Sequence, residues 1–507
     1  MYGYSRYLLF IIIILFSSCI TKSKYNYKIS AQFHSPEDLR KDIDFVFKNL
    51  EKKHPGINWY ITPENLNFKI DSLKTVINEP LNTKDFYLKL APIIASIKCG
   101  HTKLLIPSIR KSDQYSIERI GNERILNNYS FIVKNDKLFF KGFKIVDTLI
   151  KSGDEILAIN NIPTSEIIKN LNSYISADGY NMTYKYSILN RNFSNWYYSI
   201  YSEKDSLLLD ISNGKEIKNI LIRKSDLVAK NYLKNSSETK NQIVNTQTFK
   251  YLKYKGLDEN NQYLLDYKLL DSNFRIGYLK VKSFSFKHSN FDKFFDETFK
   301  EIKASEIKNL ILDLRDNGGG NLNDSRKLFS YLTATNFKYL STVEAKGRFI
   351  FSDDNLKSKL SIPFQWIYNQ LFINKKEDRY LVKINELNIS KPNKNNFKGN
   401  LYIITNGLSF SAATLLAANL KGINRGIFVG SEGGGGFNKI SAGIIPTLTL
   451  PYSGLKLKFG LYKIVPNAQS EYDGRSIIPD IYVEHSLEDD IIKKDPEIET
   501  ILKLIKN

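Results

Sequence analysis

The spacing of hydrophobic residues predicts helices at the start of the folded part of the chain. After Ser35, apolar residues recur every three or four positions. Ser35 is a suitable N-cap, with the acidic Asp38 three residues later, and Pro55 ends this helix. A second helical stretch is predicted from about residue 82 to 97. We therefore predict an N-terminal helical region over residues 36–127.

Apolar and polar residues alternate more often over residues 128–225, which predicts a β-rich module. Within it, residues 150–168 contain a predicted strand at 156–159, a tight turn at 160–161 and then a helix. This order resembles a PDZ domain, which binds an extended peptide at a sheet edge. An ordinary β-hairpin followed by a helix is the alternative. The polar, Asn- and Lys-rich residues 226–272 are interpreted as a linker or a long excursion.

Strands and helices alternate over residues 273–490, which predicts an α/β core with a mainly parallel sheet. Residues 309–320 are interpreted as a buried strand that runs into a glycine turn. Residues 399–422 are interpreted as a strand, a turn and a helix. The charged residues 350–395 are expected to be irregular, and residues 491–507 to form a C-terminal helix. No transmembrane helix is expected after the N-terminal segment.

The N-terminus has the pattern of a secretory signal. Arg6 precedes an apolar run at residues 8–16, and two serines and Cys19 follow. The run is shorter than the roughly 20 residues that a membrane span needs. The small residues followed by Cys19 resemble a bacterial lipobox, which implies cleavage before Cys19 and acylation of that thiol. Residues 1–19 are then a signal and 20–35 a tether, and the protein is expected on the periplasmic side of a bacterial membrane, with the outer membrane as the preferred site. A plain signal peptide or an uncleaved anchor is the alternative.

Composition limits the possible functions. A chain of 507 residues favours roughly two to four domains. The net charge of +20 comes mostly from lysines that are spread along the chain, so we do not expect nucleic-acid binding. The two cysteines cannot form a disulfide framework, and Cys99 is interpreted as a buried, inert thiol. No residues have metal-ligand spacing, so neither a metal nor another cofactor is expected.

Two predicted strand-to-turn junctions carry the candidate chemistry. The first is the glycine turn Gly318–Gly320, whose bare N–H groups suit an oxyanion. The second is Ser411, which lies where a strand has ended and a helix begins. A serine there can be a nucleophile, but the commoner role is a helix N-cap.

The order of these segments resembles the family of C-terminal processing (tail-specific) proteases and the tricorn core, over residues 36–485. The motifs that carry the resemblance are DLRDNGGG, NGLSFSAA and VGSEGGGG. It implies a crotonase-like (ClpP/crotonase) α/β core with an inserted PDZ-like domain. It also implies that Ser411 is the nucleophile, and that the N–H groups of Ala412 and of either Gly318 or Gly319 form the oxyanion hole.

The general base is where the sequence departs from part of that family. Tail-specific members use a lysine at a position that is Gly436 here, and Lys439 is the nearest alternative. The tricorn branch uses a histidine, which His101 matches. In that branch a serine and a glutamate orient the histidine. Gly100 replaces the serine, and Asp473 matches the glutamate.

Glu471 is close enough in sequence to be an alternative to Asp473. An imidazole base with a carboxylate partner predicts a rate that rises through an apparent pKa between about 6 and 7.5. The predicted function is a serine endopeptidase of the cell envelope that hydrolyses peptides or unfolded chains, anchored by its lipid. The alternatives are an inactive peptide-binding scaffold, a Ser–Lys dyad peptidase and another acyl-transfer enzyme, such as an amidase or esterase.

Overall fold

The computed structural model describes residues 32–106, 124–144, 149–201, 204–227, 252–258, 261–348 and 362–506. The predicted signal sequence, the lipidation site Cys19 and most of the tether lie outside the described residues. In the part of the chain that the structure describes, no helix is long and apolar enough to cross a membrane.

The helices of the described residues are α1 (Pro36–Lys53), α2 (Pro63–Val76), α3 (Thr83–Ala95), α4 (Thr164–Tyr174), α5 (Met182–Ile200), α6 (Phe291–Ala304), α7 (Leu322–Leu332), α8 (Ile362–Phe372), α9 (Ala412–Gly422), α10 (Leu487–Ile492) and α11 (Pro496–Lys506). Short 3-10 turns occur at Ile125–Asn128, Lys253–Lys255 and Asn385–Leu387.

The strands are β1 (Phe33–His34), β2 (Leu81–Asn82), β3 (Lys103–Leu105), β4 (Tyr129–Lys134), β5 (Lys137–Phe143), β6 (Glu155–Ile159), β7 (Ile162–Pro163), β8 (Ser206–Ser212), β9 (Ile217–Arg223), β10 (Leu265–Asp271), β11 (Ile276–Val281), β12 (Asn309–Asp313), β13 (Phe337–Lys338), β14 (Leu340–Ala345), β15 (Ile373–Lys376), β16 (Arg379–Val382), β17 (Ile389–Ser390), β18 (Asn400–Thr405), β19 (Ile427–Gly430), β20 (Ile440–Ala442), β21 (Thr447–Thr449), β22 (Lys456–Lys458), β23 (Tyr462–Pro466) and β24 (Ile481–Tyr482).

The N-terminal region is helical, as predicted. The Ser35 side chain accepts a hydrogen bond from the Asp38 N–H and caps α1, which ends just before Pro55. The second predicted helix is α3, one to two residues shorter at each end. Between them lies α2, which was not predicted from the sequence although Thr62 is its N-cap.

The module that follows contains the five-strand path β4-β5-β6-β8-β9, with β7 paired to β6. Asn160 and Asn161 both have positive φ, of 50° and 62°, which is the backbone of a tight hairpin turn. The predicted strand, turn and helix are therefore confirmed as β6, the turn and α4. The long helix α5, which is kinked at Asn192, was not predicted. The module's apolar core also takes in Leu408 and Phe410, from the turn that carries Ser411. The PDZ resemblance stays a prediction.

The main sheet has the strand order β10-β11-β12-β18-β19-β24 and is parallel except for β10. The predicted parallel α/β core is therefore confirmed, while the crotonase-like assignment stays a prediction. In the register of β12 and β18, Asp313 lies opposite Ile404. The two turns that follow these strands thus emerge side by side, at the edge where α/β sheets collect their functional groups. The linker prediction over 226–272 is wrong at its end, because β10 pairs with β11 as the sheet edge.

Both faces of this sheet are covered. Leu279 and Leu312 point into the largest core, shared with the N-terminal helices and α9. Ile311 and Ile404 point to the other face, where Ile501 of α11 packs on them. The C-terminal helix is therefore confirmed, and it covers this face of the sheet.

The region 350–395 is more ordered than the sequence predicted. Its described part contains α8 and the hairpin β15–β16, which extends a second sheet of order β15-β16-β14-β23-β20. A separate three-stranded sheet, β21-β22-β3, brings the strand that follows His101 to the core domain.

Candidate active site

Ser411 lies between β18 and α9 with φ of 56° and ψ of −119°. This left-handed backbone is uncommon for a residue with a side chain and costs about 1–3 kcal/mol. Its side chain makes no capping hydrogen bond to α9, so the N-cap interpretation is wrong. Instead, the Ser411 Oγ lies 3.1 Å from the His101 Nε2. The structure therefore brings together two residues that are 310 positions apart in the chain.

Hydrogen bonds from the neighbouring strand ends hold this strained turn. The Phe410 N–H donates to the Asn317 carbonyl at 2.8 Å. The Ser409 hydroxyl donates to the Leu314 carbonyl, also at 2.8 Å. The Thr414 hydroxyl, one turn into α9, donates to the Ser409 carbonyl. The glycine turn and the serine turn thus form one unit at the sheet edge.

Of the two glycines proposed for the oxyanion hole, the geometry favours Gly318. The Gly319 N–H already donates to the Asn317 Oδ1 at 2.9 Å. In contrast, neither the Gly318 nor the Ala412 N–H has a hydrogen-bond partner among the described residues, and Gly318 is exposed to the cleft. Gly319 has a different role: its φ is +94°, and a Cβ there would lie 2.6 Å from the Ser411 Cβ. Only glycine allows the two turns to approach this closely.

His101 lies in the loop between α3 and β3. Its ring packs at a tilt on the Phe410 ring, with 4.7 Å between the centroids. Burial lowers the pKa of His101 to about 3, and the positive charge of Lys103 lowers it further. The imidazole is therefore neutral at neutral pH. Among the described residues, its buried Nδ1 has no hydrogen-bond partner.

Asp473 and Glu471, which were predicted to orient this imidazole, do not reach it. The Asp473 Oδ2 instead accepts a hydrogen bond from the Lys439 Nζ at 2.9 Å, on a half-exposed surface. That ammonium also lies 5.5 Å from the Trp59 ring centroid. Glu471 is exposed in the same loop. The predicted Asp473–His101 pair is therefore absent. Burying the Asp473 carboxylate beside the His101 ring would cost free energy, whereas water and Lys439 solvate it on the surface.

Asp178 supports the histidine loop, and the sequence reading missed it. One carboxylate oxygen accepts the Gly100 N–H at 2.7 Å, and the other accepts the Gly436 N–H at 3.1 Å. Burial raises the pKa of Asp178 to about 6, despite these two hydrogen bonds. The carboxylate therefore joins the backbone next to His101 to the glycine run beside the serine turn.

The packing around Gly100 explains why this position holds glycine and not the serine of the tricorn branch. A Cβ at Gly100 would lie 2.7 Å from the Phe410 Cζ. The ring that packs on His101 thus fills the space that a relay side chain would need. Packing takes the place of a hydrogen-bonded relay.

The cleft around Ser411 and His101 has a volume of about 850 Å³. Gly318 and Tyr184 contribute to its walls. Cys99 behind it is buried, and burial raises the pKa of its thiol to about 12, so it is not a nucleophile. In the ranges that the structure describes, no group of three His, Cys, Asp or Glu side chains could bind a metal ion.

Comparisons with known proteins show which family this chain is similar to. Residues 275–483 match the family model for Peptidase family S41. The matched segment contains Ser411, Gly318 and Asp473 but not His101. The expected resemblance to tail-specific peptidases is confirmed, and this chain is a serine-type peptidase. A search of curated proteins finds no match.

Solved structures support the fold. Mature CPAF matches with a TM-score of 0.59 at 14% identity, over 93% of this chain and 97% of that chain. The photosystem II D1 C-terminal processing protease matches with a TM-score of 0.40 at 13% identity, over 88% and 93%. The tricorn protease matches with a TM-score of 0.36 at 12% identity, over 93% and 37%. The CPAF likeness concerns the fold alone, and the other two are too distant to support any argument.

Proposed function

We propose that the chain is a serine endopeptidase of the cell envelope in which Ser411 is the nucleophile and His101 the general base. The 3.1 Å distance between the Ser411 Oγ and the His101 Nε2 is the observation that carries this proposal. A nucleophile and base within hydrogen-bond reach are the first requirement of such a mechanism. The unpaired N–H groups of Gly318 and Ala412 complete the arrangement.

In the first step, the Ser411 Oγ attacks the carbonyl carbon of the scissile peptide and its proton passes to the His101 Nε2. The Gly318 and Ala412 N–H groups donate to the oxygen that becomes negative. The imidazolium then gives this proton to the leaving amine as the C–N bond breaks, which leaves an ester on Ser411. A water attacks that ester by the same route and releases the acid product.

This mechanism does not need a carboxylate partner for the imidazole. The ring is neutral at neutral pH, because burial lowers its pKa to about 3, so the lone pair of its Nε2 faces the Ser411 hydroxyl. The imidazolium forms only while the negative oxyanion lies close by, and the two charges stabilise each other in the low dielectric of the site. The proton is therefore held briefly and passed on to the leaving group.

The Ser–Lys alternative has less support. Lys439 is hydrogen-bonded to Asp473, and it lies over the Trp59 ring. The Lys439 Nζ thus has its hydrogen-bond partner in Asp473, whereas the Ser411 Oγ lies next to the His101 Nε2. The inactive-scaffold alternative is favoured by one observation, the unpaired Nδ1 of His101.

The cellular setting belongs to the same proposal. We propose that Cys19 is acylated and anchors the chain to a bacterial membrane, on the periplasmic side of the outer membrane. The substrates are peptides or unfolded chain ends, which the module around β4–β9 delivers in extended form. Replacing Cys19 with alanine is expected to release the protein from membranes, and mass spectrometry of the mature N-terminus is expected to show an acylated Cys19. An unmodified N-terminus that begins elsewhere would contradict the lipid anchor.

The test of the catalytic part is the hydrolysis of a broad peptide library by the wild type and by Ser411→Ala. The variant is expected to lose hydrolysis by about 10⁴-fold or more, with little change in thermal midpoint, because the Ser411 side chain caps nothing. A destabilised variant that keeps its activity would mean that Ser411 is structural. A wild type that cleaves no peptide would favour the scaffold.

A further inference from the structure

A second cavity, of about 260 Å³, lies beside the active-site cleft. The two spaces share four lining residues, which are Lys103, Leu105, Tyr184 and Ile188. Helix α3 and strand β3 form one side of the second cavity, and the end of α4 together with α5 forms the other. It therefore adjoins the cleft as a side chamber, with these four residues at the boundary between the two spaces.

The lining of this chamber is apolar and rich in aromatic rings. Tyr87 and Tyr174 stack with 6.5 Å between their centroids, and Trp196 and Ala91 also line the space. A dry apolar cavity of about 150 Å³ is large enough to bind benzene. A chamber of this size and lining can thus accept an aromatic ring or a large aliphatic side chain.

The chamber is coupled to the proposed catalytic residues through aromatic contacts. The Tyr184 ring lies 5.0 Å from the Phe410 ring, and the Phe410 ring lies 4.7 Å from the His101 ring. At the boundary between cleft and chamber, the Lys103 Nζ donates to the Tyr184 hydroxyl at 3.4 Å. This is a long hydrogen bond from an exposed lysine, so an entering side chain can displace the lysine at low cost.

We propose that this chamber is a specificity pocket that takes one large apolar side chain of the substrate, with aromatic side chains preferred. The assignment rests on the proposed peptidase function of the adjoining cleft. Ring against ring is the favoured packing in such a space, and a chain whose scissile carbonyl is at Ser411 would present a neighbouring side chain to the chamber. The residues that set the preference are Tyr87, Ala91 and Trp196.

The test uses quenched fluorescent peptides of alanine in which a single phenylalanine occupies each position in turn. For the wild type, phenylalanine at one position is expected to raise kcat/KM by about 10- to 100-fold over alanine. Ala91→Phe places a ring in the chamber and is expected to bring this ratio close to one. The ratio cancels any general loss of active enzyme, because both peptides are cleaved by the same sites.

Lys89→Phe is the matched control, because it adds the same ring on the exposed side of the same helix. It is expected to keep the wild-type ratio. Trp196→Ala removes one aromatic wall without adding bulk and is expected to lower the ratio about fivefold, which covers the case in which Ala91→Phe does not fold. A wild type that cleaves all peptides with no phenylalanine preference, or an unchanged ratio in these chamber variants, would overturn the proposal.

A binding measurement separates this proposal from the proposed catalysis. In the Ser411→Ala protein, the phenylalanine peptide is expected to change the emission of Trp196, while the alanine peptide is not, and Trp196→Phe is expected to remove the signal. If the wild type hydrolyses nothing, the peptidase proposal fails, but this signal would still support the chamber. The absence of any signal would overturn it.

Discussion

The two sides of the active site are held in different ways. On the Ser411 side, two turns at adjacent strand ends are joined by backbone hydrogen bonds, such as that from the Phe410 N–H to the Asn317 carbonyl. On the His101 side, the imidazole has a single hydrogen bond, to Ser411, and its Nδ1 has no partner in the described ranges. Its orientation depends on packing against Phe410 and on the Asp178 carboxylate behind the loop.

If Ser411 and His101 act as proposed, this difference means that a nucleophile and its base can be positioned by different physical means. The Ser411 backbone is strained, so it needs many directional bonds to stay in place. His101 is not among the residues with positive φ, and its ring is neutral, so a ring contact and a fixed loop are enough to aim its Nε2. The usual carboxylate partner is then dispensable, because packing and the loop take over its orienting role.

The largest effect is expected from the proposed base. His101→Ala is expected to lower kcat by at least about 100-fold, since general-base catalysis typically contributes 10²–10⁴-fold. Steady-state hydrolysis of an optimal peptide measures this. His288→Ala, which changes an exposed histidine outside the site, is the control and should leave the rate unchanged. Full activity in His101→Ala would remove the base from the account.

Asp178→Asn is expected to lower kcat/KM by about tenfold, because an amide can accept only one of the two N–H groups well. The wild-type rate is also expected to rise with pH through about 6, the raised pKa of Asp178. Below that pH the protonated carboxyl releases its hold on the Gly100 N–H. From the sequence, a rise of the rate with pH is predicted to come from the titration of His101. Burial, however, lowers the pKa of that ring to about 3.

The two explanations of the pH profile are separable. Asp178→Asn should have a lower rate that is flat from about pH 5 to 8. If the acid limb near pH 6 persists in this variant, a group other than Asp178 titrates there, and the supporting role of the carboxylate would be contradicted.

A smaller effect concerns stability in acid. Burial lowers the pKa of His54 to about 3, and its ring bonds to the Thr102 hydroxyl and the Gly56 N–H next to the His101 loop. Between that value and about 6.5 the unfolded chain binds the proton and the folded chain does not, so stability falls as pH falls. His54→Gln should reduce this slope by up to about 1.4 kcal/mol per pH unit. Urea unfolding at several pH values measures the slope, and an unchanged slope would contradict the assignment.

The smallest effect is expected at the carboxylate that the sequence favoured. Asp473→Asn is expected to change kcat/KM by less than about threefold, because the Asp473 side chain is half-exposed and such ion pairs with a lysine contribute little. A loss as large as that of His101→Ala would instead mean that Asp473 reaches the imidazole during catalysis.

Much of the Ser411 side could be predicted, because its signals are local. Periodicity and turn residues predict a buried strand that is followed by a glycine turn. They also predict a second buried strand, which is followed by the serine turn and a helix. Their proximity then follows from the parallel sheet. The same locality explains the confirmed Asn160–Asn161 turn. By contrast, α5 was missed because its tyrosines and asparagines have weak helix propensity, and burial of Leu189, Phe193 and Tyr197 in the module core stabilises it.

The His101 side could be predicted only through the family resemblance, and its support could not. Asp178 lies 78 positions from Gly100 and 258 from Gly436, and it binds backbone N–H groups that every residue type offers. No residue pattern marks such a contact. Asp473 was chosen by its position in a motif, but a motif does not specify which way a half-exposed loop directs its side chains.

The most direct measurement is the rate at which a fluorophosphonate labels Ser411, with the labelled peptide identified by mass spectrometry. We expect rapid labelling in the wild type, an equal rate in Lys439→Ala, and a rate at least about 100-fold lower in His101→Ala, because the same proton transfer activates the hydroxyl. Rapid labelling of His101→Ala together with loss of labelling in Lys439→Ala would contradict the account and establish a Ser–Lys dyad.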